Sequence, residues 1–93
     1  MAGEKRSTAT ALLALGRRVS ELRRARGLTQ EQAAARLRML APNYARIEQG
    51  RQNVTVDTLV RLAVFFDVSL SDLFAAPASS RPARPGRPKK PEP

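Results

Sequence analysis

The side chains able to do chemistry in this sequence are overwhelmingly cations. Seventeen Lys and Arg stand against eight Asp and Glu, a formal net charge of +9, and there is neither Cys nor His. Without thiol or imidazole there can be no disulfide, no Cys/His zinc site, no histidine general base and no imidazole pH switch. Glu48, the acid in the most patterned part of the chain, has no nucleophile or partner base beside it, so neither catalysis, nor a metal, nor any other cofactor is expected. A cationic excess of this size attracts polyanions, nucleic acid ahead of an anionic membrane surface. A merely soluble basic surface is the plainer alternative. No apolar run approaches the roughly 20 residues that span a bilayer. The apolar stretch "ALLAL" at 11–15 is too short and too soon followed by Arg17 and Arg18 to be a signal peptide. A cytoplasmic, nucleoid-associated protein without membrane contact is the expectation.

Elements that position these charges must be short. The 93 residues divide at Phe74, after which six of the seven prolines fall in 75–93 with no large apolar residue among them. Such a segment cannot bury enough surface to offset its ordering entropy, so a disordered basic Pro-rich tail is expected at 75–93. A flexible N-terminus is expected at 1–7, leaving one domain at 8–74. Within it five helices and no strand are expected. Leu12, Leu15, Val19 and Leu22 form one apolar stripe at helical spacing, ended at Gly27 after Arg23, Arg24 and Arg26. Thr29 and Gln32 have capping-box spacing and open a second helix. A third covers about 41–49, where Pro42 is tolerated because first-turn N–H groups lack intrahelical partners anyway. A fourth opens at Thr55 and runs to about Phe66, and a fifth begins at Ser69. The fold class is therefore all-α.

The second and third segments, joined around "RML", have the proportions of a helix-turn-helix. "LTQEQAAARL", "YARIEQGRQNVTVDTLVRLA" and "VSLSDLF" together resemble the phage repressor/Cro-type (XRE-like) helix-turn-helix DNA-binding family over about residues 12–74. The resemblance implies a compact five-helix repressor-like bundle whose third helix reads the major groove of double-stranded DNA while the second crosses the phosphate backbone. It places base contacts on Ala41, Pro42, Asn43 and Arg46, and phosphate contacts on Thr29, Gln30, Arg51, Gln52 and Asn53. It also implies a structural salt bridge between Arg23 and Glu48. In this reading Ala41 meets a thymine methyl, Asn43 prefers adenine and Arg46 prefers guanine, with DNA shape carrying part of the specificity. Plainer roles stand beside these: Gln30 as an exposed first-turn residue, Asn43 as a helix starter, Arg46 on a solvated face. Tyr44 is expected in core or groove-edge packing, and Arg17, Arg18, Arg24 and Arg26 on a solvated basic face.

Three residues depart from the family pattern. Arg38 replaces a turn glycine and must take a left-handed conformation or change the turn, at about 1 kcal/mol. Leu40 stands where Ser or Thr normally caps the third helix, which leaves its start open by one residue. Asp67 replaces the glycine before the fifth segment.

In the tail, "PGRPKK" at 85–90 resembles the core of an AT-hook, which lies in narrow A·T minor grooves. Pro85 occupies the place of the motif's arginine, so a flexible arm touching phosphates through Arg84, Arg87, Lys89 and Lys90 is the alternative. The same tail could engage a protein partner. The whole reads as a sequence-specific transcriptional regulator, a homodimer on a near-palindromic operator, with Phe65, Leu70, Leu73 and Phe74 available for the dimer interface. A repressor-like fold kept as a protein-interaction module, or a nonspecific DNA binder, is the alternative. An RNA-binding role would need an aromatic stacking surface, and three Phe and one Tyr hardly supply one.

Overall fold

The computed structural model describes residues 7–75. The expected tail and its Arg84, Arg87, Lys89 and Lys90, together with most of the expected flexible N-terminus, lie outside the described residues. Four α-helices follow one another: α1 (Thr8–Ala25), α2 (Gln30–Arg36), α3 (Ala41–Glu48) and α4 (Val56–Phe66). The fifth expected helix is instead one 3-10 turn, Ser71–Phe74. Two residues explain the shortening: Asp72 N donates to the Ser69 carbonyl and Leu73 N to that of Leu70. The segment stops after one turn because it has only Leu73 to bury.

Starts of the helices follow local side-chain chemistry. Ser7 Oγ accepts from Thr10 N at 3.2 Å and Thr55 Oγ1 from Thr58 N at 3.1 Å. At α2 the box is reciprocal, Gln32 N donating to Thr29 Oγ1 at 3.0 Å and Thr29 N to Gln32 Oε1 at 2.9 Å. α3 begins at Ala41 with Leu40 as its cap residue and no side-chain hydrogen bond there.

All four helices end on a left-handed residue: Gly27 (φ 70), Arg38 (φ 59), Gly50 (φ 74) and Asp67 (φ 58). Each is followed by a six-to-one closing bond from Leu28, Met39, Arg51 and Val68 to the carbonyls of Arg23, Ala34, Arg46 and Ala63. That is the Schellman arrangement, favoured by glycine and here imposed twice on residues with a Cβ. The turn between α2 and α3 thus keeps its left-handed geometry despite Arg38.

The core joins Leu15 and Val19 of α1, Ala33, Ala34 and Leu37 at α2, Tyr44 and Ile47 of α3, Leu62, Ala63 and Phe66 of α4, and Leu73. Gly16 sets how closely α1 meets α3. A Cβ there would stand 2.4 Å from the Glu48 carbonyl oxygen and 2.6 Å from that of Ile47. A glycine inside an apolar helical stripe was the available sign of this close approach.

Candidate nucleic-acid interface

α3 has two faces of opposite character. Tyr44 and Ile47 are buried at 0% and 3% exposure, while Pro42 and Arg46 are exposed and Ala41 and Asn43 half-exposed. The inner face locks the helix, and the outer face is free to meet a partner. Arg46 Nη2 donates to Asn43 Oδ1 at 2.9 Å, and Nη1 reaches the Pro42 carbonyl at 3.5 Å. Asn43 also lines an open cleft of about 360 Å³ between the starts of α3 and α4, with Arg38, Gln52, Asn53, Thr55 and Arg61 around it. No acidic side chain lines that cleft.

Beneath this face lies an ion pair. Arg23 Nε and Nη2 donate to Glu48 Oε2 and Oε1 at 2.7 and 3.0 Å, and Arg23 Nη1 donates to the Leu28 carbonyl at 2.8 Å. Gln30 Nε2 donates to Glu48 Oε1 at 2.9 Å. One carboxylate therefore ties α1, α2 and α3 together, and bidentate geometry fixes the angle as well as the distance. Burial alone would raise the Glu48 carboxyl. Hydrogen bonding from Arg23, the neighbouring Tyr44 and Gln30, with the Arg23 charge, outweighs it and holds Glu48 below the usual carboxylate value. The same hydrogen bond with Glu48, partly offset by burial, raises the Arg23 guanidinium. The Tyr44 hydroxyl is buried beside the pair without a hydrogen bond of normal geometry, and burial first, Glu48 second, push it far above the ordinary tyrosine value.

The other sequence-derived positions are distributed as follows. Thr29 is exposed and its hydroxyl oxygen caps α2; Arg51 and Asn53 are exposed and Gln52 half-exposed in the loop after α3. Arg51 Nη1 lies 3.4 Å from Gln49 Oε1. Leu70 and Phe74 are 44% and 42% exposed and Phe65 half-buried, but Leu73 is fully buried and cannot line an interface. It is the one side chain by which the 3-10 turn docks on the core. Val56, Val60 and Val64 form a further exposed apolar row on α4.

Two arginines read as solvated are structural instead. Arg18 donates to the Asp72 carbonyl and carboxylate at 3.0 and 3.1 Å and to Glu21 at 2.6 Å, clamping the 3-10 turn to α1. Arg26 donates to the Phe66 carbonyl at 3.0 Å with its guanidinium 6.0 Å from that ring's centre. Arg61, unremarked in the sequence, donates to the Leu37 carbonyl at the end of α2. Arg17 and Arg24 are exposed.

A rigid pair α2–α3 around a left-handed turn, with the outer face of α3 open and cationic, defines a helix-turn-helix domain. The family model described as a helix-turn-helix domain matches residues 14–75. The chain is 35% identical over 65 residues to the HTH-type transcriptional regulator PuuR of Escherichia coli (strain K12), covering 70% of this chain and 35% of PuuR. It thus spans about a third of that relative's length. It is 41% identical over 59 residues to the uncharacterized HTH-type transcriptional regulator y4dJ of Sinorhizobium fredii, covering 63% of this chain and 77% of y4dJ. The crystal structure of the restriction-modification controller protein C.AhdI from Aeromonas hydrophila is similar at a TM-score of 0.63 and 33% identity, over 68% of this chain and 96% of that one. The chain belongs to the Cro/C1-type helix-turn-helix family of DNA-binding, transcription-regulating proteins. Among the described residues no helix is long and apolar enough to cross a membrane.

Proposed function

We propose that this chain is a sequence-specific transcriptional regulator that reads the major groove with the outer face of α3, as a homodimer on a near-palindromic operator in the cytoplasm. One observation carries the reading: the Arg23–Glu48–Gln30 network fixes α3 against α1 and α2 while Pro42, Asn43 and Arg46 stay on the open face. Gln30 Nε2 spends one of its two N–H groups on Glu48 and keeps the other for a phosphate. Thr29, Arg51, Gln52 and Asn53 supply further backbone contacts, and the cationic tail residues Arg84, Arg87, Lys89 and Lys90 add attraction independent of sequence. Leu70 and Phe74, with Phe65 beside them, are the surface we assign to the dimer. A titration of the full chain against DNA upstream of its own gene and against random duplex, across a salt series, tests the proposal. Preference for the upstream DNA that persists as salt rises supports it. The exposed Leu40, at 70%, beside Ala41 and Pro42 favours a second reading in which α3 contacts a protein. Equal affinities for all duplexes in a random-sequence selection, falling together with salt, would favour that reading.

A further inference from the structure

We infer that Asn43 is a positioning residue for Arg46, and that the two side chains read guanine as one unit; the inference rests on α3 being the recognition helix. The starting point is where the Asn43 oxygen goes. Asn43 is the third residue of a helix whose cap residue, Leu40, offers no side-chain acceptor. At the equivalent place in α2, Gln32 reaches back to the Thr29 backbone N–H at 2.9 Å. Asn43 does the opposite, turning its Oδ1 forward to accept from Arg46 Nη2 at 2.9 Å.

That contact has consequences for both partners. A guanidinium carries five N–H donors in a fixed plane. Two of Arg46's are directed to Asn43 Oδ1 and, at the longer 3.5 Å, to the Pro42 carbonyl. Three remain, and a bidentate contact with guanine O6 and N7 needs two. Holding the side chain from one flank removes rotamer freedom before DNA arrives, so less is lost on binding. Asn43, meanwhile, cannot keep this contact and make the ordinary bidentate contact with adenine. That contact requires Oδ1 to accept from adenine N6 while the amide donates to N7. With its oxygen on Arg46, Asn43 offers only N–H donors outward, toward an acceptor such as guanine O6, thymine O4 or a phosphate. The adenine preference expected for a free asparagine is replaced by support for guanine recognition one helical turn on.

The experiment is a random-duplex selection with the full-length protein, Arg46→Ala, Asn43→Ala and Asn43→Asp, each checked for an unchanged helical melt. Arg46→Ala identifies the position at which guanine preference depends on Arg46. Asn43→Ala should lower guanine preference at that same position by about tenfold, within the roughly 5- to 150-fold range of one bidentate base contact. Asn43→Asp keeps an acceptor at the same point and should restore part of the preference, while its charge weakens binding to every duplex. The inference is overturned if Asn43→Ala leaves that guanine untouched and abolishes an adenine preference elsewhere, or if Asn43→Asp selects no better than Asn43→Ala. Wild-type protein that selects no sequence removes the recognition-helix reading itself and this inference with it.

Discussion

Glu48 receives both ends of the Arg23 guanidinium fork across the α1–α3 contact, with side chains only 5% and 12% exposed. Such a pair is geometrically demanding and, once buried, costly to break on one side only. Glu48→Ala leaves Arg23 unpaired and Gln30 without its acceptor, and should cost about 3–5 kcal/mol in urea denaturation. Replacing both partners, as Arg23→Met with Glu48→Leu, should recover much of that loss. The double variant should nevertheless bind DNA less well than it folds, because the angle of α3 is then set by apolar contacts alone.

The same site predicts two edges to the stability profile. Glu48 is held below its ordinary value of 4.5, so its stabilising contribution is complete above that pH and is lost as pH falls through the lower folded value. Tyr44 is raised above its ordinary value of 10.0, so its contribution is complete below pH 10 and is lost as pH rises further. Between about pH 5 and 9 these two groups contribute no slope. Urea midpoints taken from pH 3 to 11 should fall at both ends, and Glu48→Gln should flatten the acid end.

Arg38 and Asp67 hold φ values of 59° and 58° that L-residues disfavour. Arg38→Gly should stabilise the domain by about 1 kcal/mol, since glycine takes this conformation without a Cβ penalty. Asp67→Gly should gain less, because a short polar side chain tolerates the left-handed region better. Thermal melts of the two variants against wild type give the comparison. An unchanged or lower midpoint for Arg38→Gly would mean that its side chain stabilises the turn.

Which of these features the sequence disclosed depends on how far apart the interacting residues lie. Thr29 with Gln32, Thr55 with Thr58, and the glycine stops at 27 and 50 are local, so residue type and spacing suffice. Arg18 was read as solvated because its partner, Asp72, is 54 residues away, and Arg26 likewise because Phe66 is 40 away. The fifth helix was over-read for a related reason: "SLSDLF" carries a start signal, but its length is decided by how much of it the core can receive. The Asn43–Arg46 contact lies within sight at a spacing of three, yet spacing cannot say whether a side chain turns back to cap its helix or forward to its neighbour. Gly16 was silent because its meaning lies in the carbonyls of α3 opposite. Gly16→Ala drives a methyl into those carbonyls and should cost about 3 kcal/mol by overpacking.

Leu73 and Phe74 are adjacent in sequence and opposite in role, which gives the dimer assignment its sharpest test. Leu73 is fully buried under α1, so Leu73→Ala should destabilise the monomer by about 2–5 kcal/mol, as large-to-small core changes do. Phe74 is 42% exposed and Leu70 44%, so Phe74→Glu or Leu70→Glu should leave the helical signal and the core intact. Each should shift the sedimentation profile from dimer to monomer and reduce operator affinity, because a monomer engages one half-site only. Unchanged sedimentation in both glutamate variants would remove Leu70 and Phe74 from the interface. The exposed valines of α4, Val56, Val60 and Val64, would then be the next surface to substitute.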